Sequence, residues 1–237
     1  KLKIKRGDRV SISPVDVIVP AAGVGKRMSL GYPKQYAKIG SKTVIEHTIS
    51  ALLSSPYVAN VIVGINKDDP YYDSLPIASN PRVIKGLGGT ERCDTVLNCM
   101  DLASTDYVMV HDAARPLLSA CDLKKLYENA TLPSCDGAIL ACKVADTIKY
   151  VTDGIIEKTV DRAPLYRAYT PQMFKTKLLK QALQEAFNKG FKVTDDSSAM
   201  EMCGYKVSIV EGNAQNFKLT TPDDLALAKL IIGNDDV

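Results

Sequence analysis

The chain has 237 residues, 46% of them hydrophobic and 24% charged, with a net charge of +3 at pH 7. That length suits one large domain or two small ones and is enough to bury a full core. A net charge this small gives no argument for a nucleic-acid or membrane surface, and no apolar run approaches the ~20 residues of a membrane span.

Residues 1–14, KLKIKRGDRVSISP, are basic and lack the apolar block of a secretion signal, so they are set outside the fold as an extension of open origin. Residues 15–19 then read as a buried strand, ended by Pro and small residues. Residues 43–54 read as a helix, because Val44, Ile45, Ile49, Leu52 and Leu53 share one face. Val58–Ile65 (VANVIVGI) is a second buried strand and residues 82–85 a short third. Residues 91–102 are expected as helix, Tyr107–Val110 as strand, 123–129 as helix and 137–144 as strand again.

Further on, Phe174, Leu178, Leu179, Ala182, Leu183, Ala186 and Phe187 make a helical stripe, and 205–210 read as a strand. Thr221 suits the cap of a last helix, with Pro222 at its first position and Asp223 and Asp224 complementing its positive end. Strands alternating with helices predict an α/β fold in residues 15–237, a single domain with a mostly parallel twisted sheet flanked by helices in the Rossmann-like manner. Residues 146–162 break the alternation. Asp153-Gly154, flanked by β-branched residues, signals a two-residue hairpin turn. A lone hairpin is marginal in water, so its Ile148, Tyr150, Val151, Ile155 and Ile156 need cover, either from the parent domain or from a second subunit.

The six cysteines (Cys93, Cys99, Cys121, Cys135, Cys142 and Cys203) form no C-x-x-C pair, and only His47 and His111 could join them around a metal. Zinc ligation is not expected, and scattered thiols in a chain of this size indicate a reducing, cytoplasmic compartment.

The stretch VIVPAAGVGKRMSLGYPKQY, residues 17–36, places a glycine turn at the end of the first strand, where open α/β sheets bind ligands. Backbone N–H groups of such a turn can point at phosphate oxygens. The Walker A pattern fails, because Arg27 follows Gly25-Lys26 and position 20 is Pro. The dinucleotide fingerprint fails at Met28, and a kinase H-R-D is absent. Arg27 and Lys34 behind the glycines, a forked guanidinium and a point-charge ammonium, suit a polyphosphate. A lone Arg or Lys on a loop is usually solvated surface; two cations after a glycine turn at a strand end more often serve a polyphosphate. His111 reads as structural, since strand neighbours point to opposite faces. Asp195 and Asp196 follow Thr194 and read as helix-start charges at least as readily as metal ligands.

The motifs PAAGVGKRM, PKQY, GGTERCDTV, VHDAARP, DTIK, TVDR, TPQ, TDDSSAME and FKLTTPDDL resemble, in order and spacing, the 2-C-methyl-D-erythritol 4-phosphate cytidylyltransferases of non-mevalonate isoprenoid synthesis. The glycine turn with PKQ is shared across sugar nucleotidyltransferases, which leaves a related enzyme with another acceptor or base as the alternative; HDAARP with TVDR and TPQ is more specific. The resemblance implies attack of the methylerythritol phosphate on the α-phosphorus of CTP, with pyrophosphate leaving, in a cytoplasmic homodimer joined through the β-arm. It implies Arg27 and Lys34 as charge-stabilising catalytic residues. Nucleotide contacts are implied for Pro20, Ala21, Ala22, Gly23, Gly89, Thr90, Thr95 and Ala113. Substrate contacts are implied for Asp112, Arg115, Thr170 and Lys218, with Thr147 and Arg162 reaching the partner's site. The implied cofactor is Mg2+ or another divalent cation, held mainly by the CTP phosphates, with Asp112 as a candidate ligand.

Overall fold

The computed structural model describes residues 12–23 and 31–233; the basic extension up to residue 11 and residues 24–30, with Lys26 and Arg27, lie outside the described residues. Strand β1 (Val15–Pro20) leads to a short antiparallel pair, β2 (Lys38–Ile39) and β3 (Lys42–Thr43), and then helix α1 (Val44–Leu53). β4 (Val58–Ile65), β5 (Val83–Leu87), α2 (Arg92–Met100), β6 (Tyr107–Val110), α3 (Ala120–Ala130) and β7 (Gly137–Lys143) follow. The hairpin strands β8 (Ile148–Thr152) and β9 (Ile155–Val160) precede β10 (Tyr166–Lys175), α4 (Thr176–Asn188), α5 (Asp196–Met202), β11 (Val207–Glu211) and α6 (Pro222–Gly233).

Seven strands form one sheet in the order β11-β7-β10-β6-β1-β4-β5. β1 runs parallel to β4 and β6, β4 to β5, and β7 to β11; β10 alone is antiparallel, wedged between β6 and β7. The strand period of two sorts side chains between the faces. Val17 and Val19 enter the core built with α1 and α3, whereas Ile18 joins Val96, Leu179, Leu183 and Met200 on the face covered by α2, α4 and α5. Among the described residues, no helix is long and apolar enough to cross a membrane.

Most elements stand within a residue or two of expectation, and β4 coincides with it. The helical stripe is corrected at its start. Phe174 lies inside β10, one residue before its end at Lys175, and α4 begins at Thr176. Phe174 is fully buried over Gly137, where a Cβ would approach its ring to 2.3 Å. β10 itself (YRAYTPQMFK) escapes a reading by periodicity, because it mixes polar residues and a proline with buried ones.

Local signals explain the boundaries. Thr43 and Glu46 close a capping box at α1, the Glu46 carboxylate accepting from the Thr43 N–H at 2.8 Å. Asp224 likewise accepts from the Thr221 N–H at 2.8 Å while the Thr221 hydroxyl accepts from the Asp224 N–H at 3.2 Å. Thr43→Ala removes one half of the first box, and denaturant unfolding should read a loss of about 1 kcal/mol. In the hairpin, Asp153 has φ 50° and Gly154 φ 80°, as a two-residue turn with both centres left-handed requires. The arm carries Tyr150, Val151, Ile155 and Ile156 exposed by half or more of their surface.

Candidate active site

The first wall of the site is the loop leaving β1. The Ala21 N–H donates to Gly64 O at 2.9 Å, continuing the sheet pairing by one residue. Gln35, nearly buried, donates through Nε2 to Ala21 O at 2.8 Å and to Gly23 O at 3.1 Å, so the carbonyls of this loop face its amide. The next residue back, Lys34, donates from Nζ to Leu219 O at 2.6 Å, tying the loop to the segment before α6.

The opposite wall is the turn between β5 and α2. The Gly89 N–H donates to Thr95 Oγ1 at 2.9 Å, and that buried hydroxyl donates in turn to Glu91 O at 3.1 Å. A Cβ on Gly89 would lie 2.9 Å from the Asp94 carbonyl carbon and 3.0 Å from the Thr95 nitrogen, both backbone atoms that cannot swing away. Glycine is required here for close approach of chain to chain. The Thr95 hydroxyl therefore shapes the turn.

The floor is built at the end of β6. His111 is completely buried; its Nε2–H donates to Arg115 O at 3.1 Å and its Nδ1 accepts from the Thr170 hydroxyl at 2.9 Å. The Arg115 carbonyl can only accept, which places the single ring proton of the neutral imidazole on Nε2 and leaves Nδ1 to accept; the same Thr170 oxygen also accepts the Asp112 N–H at 3.0 Å. Burial lowers the His111 pKa to about 4, so the ring is neutral at pH 7. The unfolded chain would take up the proton near its ordinary value of about 6.5, so stability should fall as pH drops from there toward the folded value of about 4. Replacing His111 with Gln should flatten that window in denaturant titrations; an unchanged slope would remove the histidine as its cause.

Asp112 meets three cations. Arg92 Nε lies 3.0 Å from Oδ1, while Arg115 Nε at 3.3 Å and Lys218 Nζ at 3.0 Å share Oδ2. Burial by itself would push this carboxyl up, but Arg92, Lys218 and Arg115 outweigh it and hold the group well below the usual carboxylate range. Arg115 is itself buried, donates to Asn216 O at 2.7 Å, and lies 4.8 Å from the centroid of the Tyr169 ring. Arg92 reaches past Asp112 to Asp196 Oδ2 at 2.7 Å.

One cleft gathers these walls. It is lined by Pro20, Ala21, Ala22, Gly23, Gly89, Thr90, Thr95 and Ala113, together with Lys34, Asp112 and Lys218. A neighbouring cavity is lined by Arg115, Thr170 and Tyr169 and shares Arg92, Asp112 and Lys218 with the cleft.

Residues 15–234 match the family model described as 2-C-methyl-D-erythritol 4-phosphate cytidylyltransferase. The chain belongs to that cytidylyltransferase family. It is 47% identical over 228 residues to the enzyme of that name from Vibrio atlanticus, covering 94% of this chain and 97% of the relative. It is 48% identical over 217 residues to the one from Aeromonas hydrophila, covering 91% and 88%. Among solved structures, a 4-diphosphocytidyl-2C-methyl-D-erythritol synthase superposes with a TM-score of 0.80 at 36% identity, covering 93% of this chain and 99% of the other. The cytidylyltransferase from Thermus thermophilus superposes at 0.79 and 31% identity, covering 92% and 98%.

Within this cytidylyltransferase scaffold, two residues expected at the site stand apart from it. Thr147 and Arg162 are exposed at the base of the arm, where Arg162 donates to Ala145 O, and neither lines the cleft or its neighbouring cavity. Arg27 lies outside the described residues. Asp195 caps α5 by accepting from the Ser198 N–H at 3.0 Å, as a helix-start charge should. Asp196, beside it, is fully buried under Arg92 instead of facing solvent. Sequence reasoning missed Arg92, Gln35 and Asn216. Arg92 and Gln35 sit inside motifs whose glycines and lysine draw the eye first. Asn216 carried no signal, though its Nδ2 donates to Thr170 O at 2.7 Å and its carbonyl receives Arg115.

Proposed function

We propose that this chain transfers a cytidylyl group from CTP to 2-C-methyl-D-erythritol 4-phosphate, forming 4-diphosphocytidyl-2-C-methyl-D-erythritol and pyrophosphate. The observation that carries the reading is the convergence of the glycine loop, the Gly88-Gly89 turn and the Asp112 charge cluster on one cleft. In the reaction, an oxygen of the acceptor phosphate attacks the α-phosphorus of CTP and the bond to the bridging oxygen breaks, with both electrons leaving on pyrophosphate. A phosphate monoester is largely a dianion at neutral pH, so no protein base or nucleophile is needed. The protein's part is positioning and charge stabilisation.

The loop carbonyls held by Gln35 orient its N–H groups, and Lys34, with Arg27, stabilises charge building on the α-phosphate and the leaving group. Lys218 stands on Asp112 between the cleft and its neighbour, where it can meet both substrates. Arg115 and Thr170 shape the acceptor side.

Among the described residues there is no group of three or more His, Cys, Asp or Glu that could hold a metal. Asp112 does not fit the role of ligand, because both its oxygens already accept from cations that would repel a dication. A Mg2+ ion is therefore assigned to the phosphates of CTP, where it would neutralise charge. Calorimetry should find little Mg2+ binding to the free protein, and turnover should require the ion; tight binding without CTP would contradict the assignment. Free thiols at all six cysteines fit a cytoplasmic enzyme.

The deciding assay is pyrophosphate release with CTP and the methylerythritol phosphate, each omitted in turn and each replaced by other nucleotides and sugar phosphates. Release that needs both, and prefers both, supports the reading; equal use of another base or acceptor replaces it with a sister activity.

The exposed apolar arm supports a homodimer in which Thr147 and Arg162 serve the partner's pocket. Arg162→Ala should then impair use of the sugar phosphate more than binding of CTP. Mixing inactive Lys34→Ala and Arg162→Ala subunits should restore part of the activity, because each mixed dimer has one pocket with both lesions and one with neither. No recovery despite demonstrated mixed dimers would mean that Arg162 serves its own subunit.

A further inference from the structure

Arg92 is the first residue of α2, after the Gly88-Gly89 turn, Thr90 and the capping Glu91. Its guanidinium spans two carboxylates from distant parts of the chain, donating from Nε to Asp112 Oδ1 at 3.0 Å and from Nη2 to Asp196 Oδ2 at 2.7 Å. Neutralising Asp112 does not explain it, since Arg115 and Lys218 already hold the other oxygen of that carboxylate. Nor does Asp196 gain a fully satisfied site. It is completely buried, and its Oδ1 has no hydrogen-bond partner. A buried carboxylate left half-satisfied is costly, and such a cost asks for an explanation.

Geometry supplies one. Arg92, Asp112 and Lys218 are shared between the cleft and its neighbouring cavity, so they stand at the junction of the two. With Oδ1 committed to Arg92, the carboxylate plane cannot turn, and Oδ2 stays where Lys218 meets it. Asp196 anchors the far end of the guanidinium through α5, whose start is itself pinned to β10 by Gln172 Oε1, which accepts the Ser197 N–H at 2.9 Å. We propose that Arg92 is a positioning residue for cytidylyl transfer, dividing the Asp112 carboxylate so that Lys218 is held at the junction between nucleotide and acceptor. This rests on the functional reading above.

The first test is Arg92→Lys, which keeps the charge and loses the fork that spans two carboxylates. With Asp112 free to turn, kcat/KM for the methylerythritol phosphate should fall about tenfold or more, with KM for CTP and the melting temperature little changed. Equal loss for both substrates, or none, overturns the proposal. On an Asp112→Asn background the same substitution should add little, because Arg92 acts through that carboxylate; losses that multiply would show an independent role.

A second measurement needs no turnover. The pair Arg92→Gln with Asp196→Asn removes one charge of each sign, which protects folding. Asp112 would then face Arg115, Lys218 and the neutral His111 only, and its carboxyl, followed by NMR, should titrate about one pH unit or more higher. An unmoved titration overturns Arg92's hold on Asp112. Absence of pyrophosphate release by the unaltered protein would instead overturn the functional reading, and the two failures are distinguishable.

Discussion

Lys34→Ala is expected to lower turnover by about 10²–10³, the loss that follows removal of one preorganised donor aimed at developing charge. The ammonium also ties the first loop to Leu219 O, so the alanine variant removes a clasp as well as a charge. Lys34→Gln separates the two, since an amide can still donate to that carbonyl. If charge is what matters, Gln should be nearly as slow as Ala while binding CTP better. If the clasp dominates, Gln should recover most of the rate. Near-normal turnover in both variants would take Lys34 out of the mechanism. Arg27→Ala should be comparably slow, an expectation resting on its place in the sequence. Thermal unfolding of all three variants should stay close to that of the parent, which excludes collapse of the fold as the cause.

Asp112→Asn should be the most destabilising change in the site. The amide can keep an acceptor toward Arg92, but its NH2 group then faces Arg115 and Lys218 as a third donor. Breaking a buried ion pair on one side typically costs about 3–5 kcal/mol. Here the lower end applies, because Lys218 is 36% and Arg92 26% exposed and water can reach them. The pH dependence follows from the direction of the shift. A carboxyl held below its ordinary value contributes stability that is complete above its unfolded value of about 4 and disappears as pH falls through its folded value. The gap between parent and variant should therefore be constant from about pH 5 to 8 and narrow only in stronger acid. A gap that closes near neutrality would mean that Asp112 is not held ionised by its three neighbours.

Much of this architecture was legible because its signals are local. Val17, Ile18 and Val19 announce a strand buried on both faces. Thr43 with Glu46 and Thr221 with Asp224 announce helix starts, and Asp153-Gly154 announces its turn. What stayed hidden depends on partners far away in the chain. β10 has neither clean alternation nor an unbroken apolar run, because one end leaves the core and the other enters it. Phe174 reads as part of the helix behind it, since a residue on the same apolar stripe looks alike whether it lies in a strand or begins a helix. Arg92 gave no sign of its two carboxylates, which lie 20 and 104 positions away. The roles implied for Thr95 and Thr170 were direct ligand contacts. In the structure both hydroxyls also bond within the protein, Thr95 with Gly89 and Glu91 and Thr170 with His111 and Asp112, partners that nothing in the sequence pointed to.

The segment from Asn216 to Leu219 joins Thr170, Arg115, Asp112 and Lys34, and the last of these contacts closes a loop of 185 residues. During synthesis, the glycine loop and its strand emerge long before the residues that clasp them. At ordinary elongation rates the interval is roughly 10–40 s, far longer than the formation of local helices and turns. A nascent chain thus carries half of a phosphate site without Lys218 to face it or Leu219 to hold Lys34. Nucleotide captured at that stage would lack the groups that make transfer productive, so competence arrives late and in one step, when the segment docks. A ribosome-bound chain stalled before residue 216 should bind CTP weakly and turn over nothing, although all seven sheet strands precede that point.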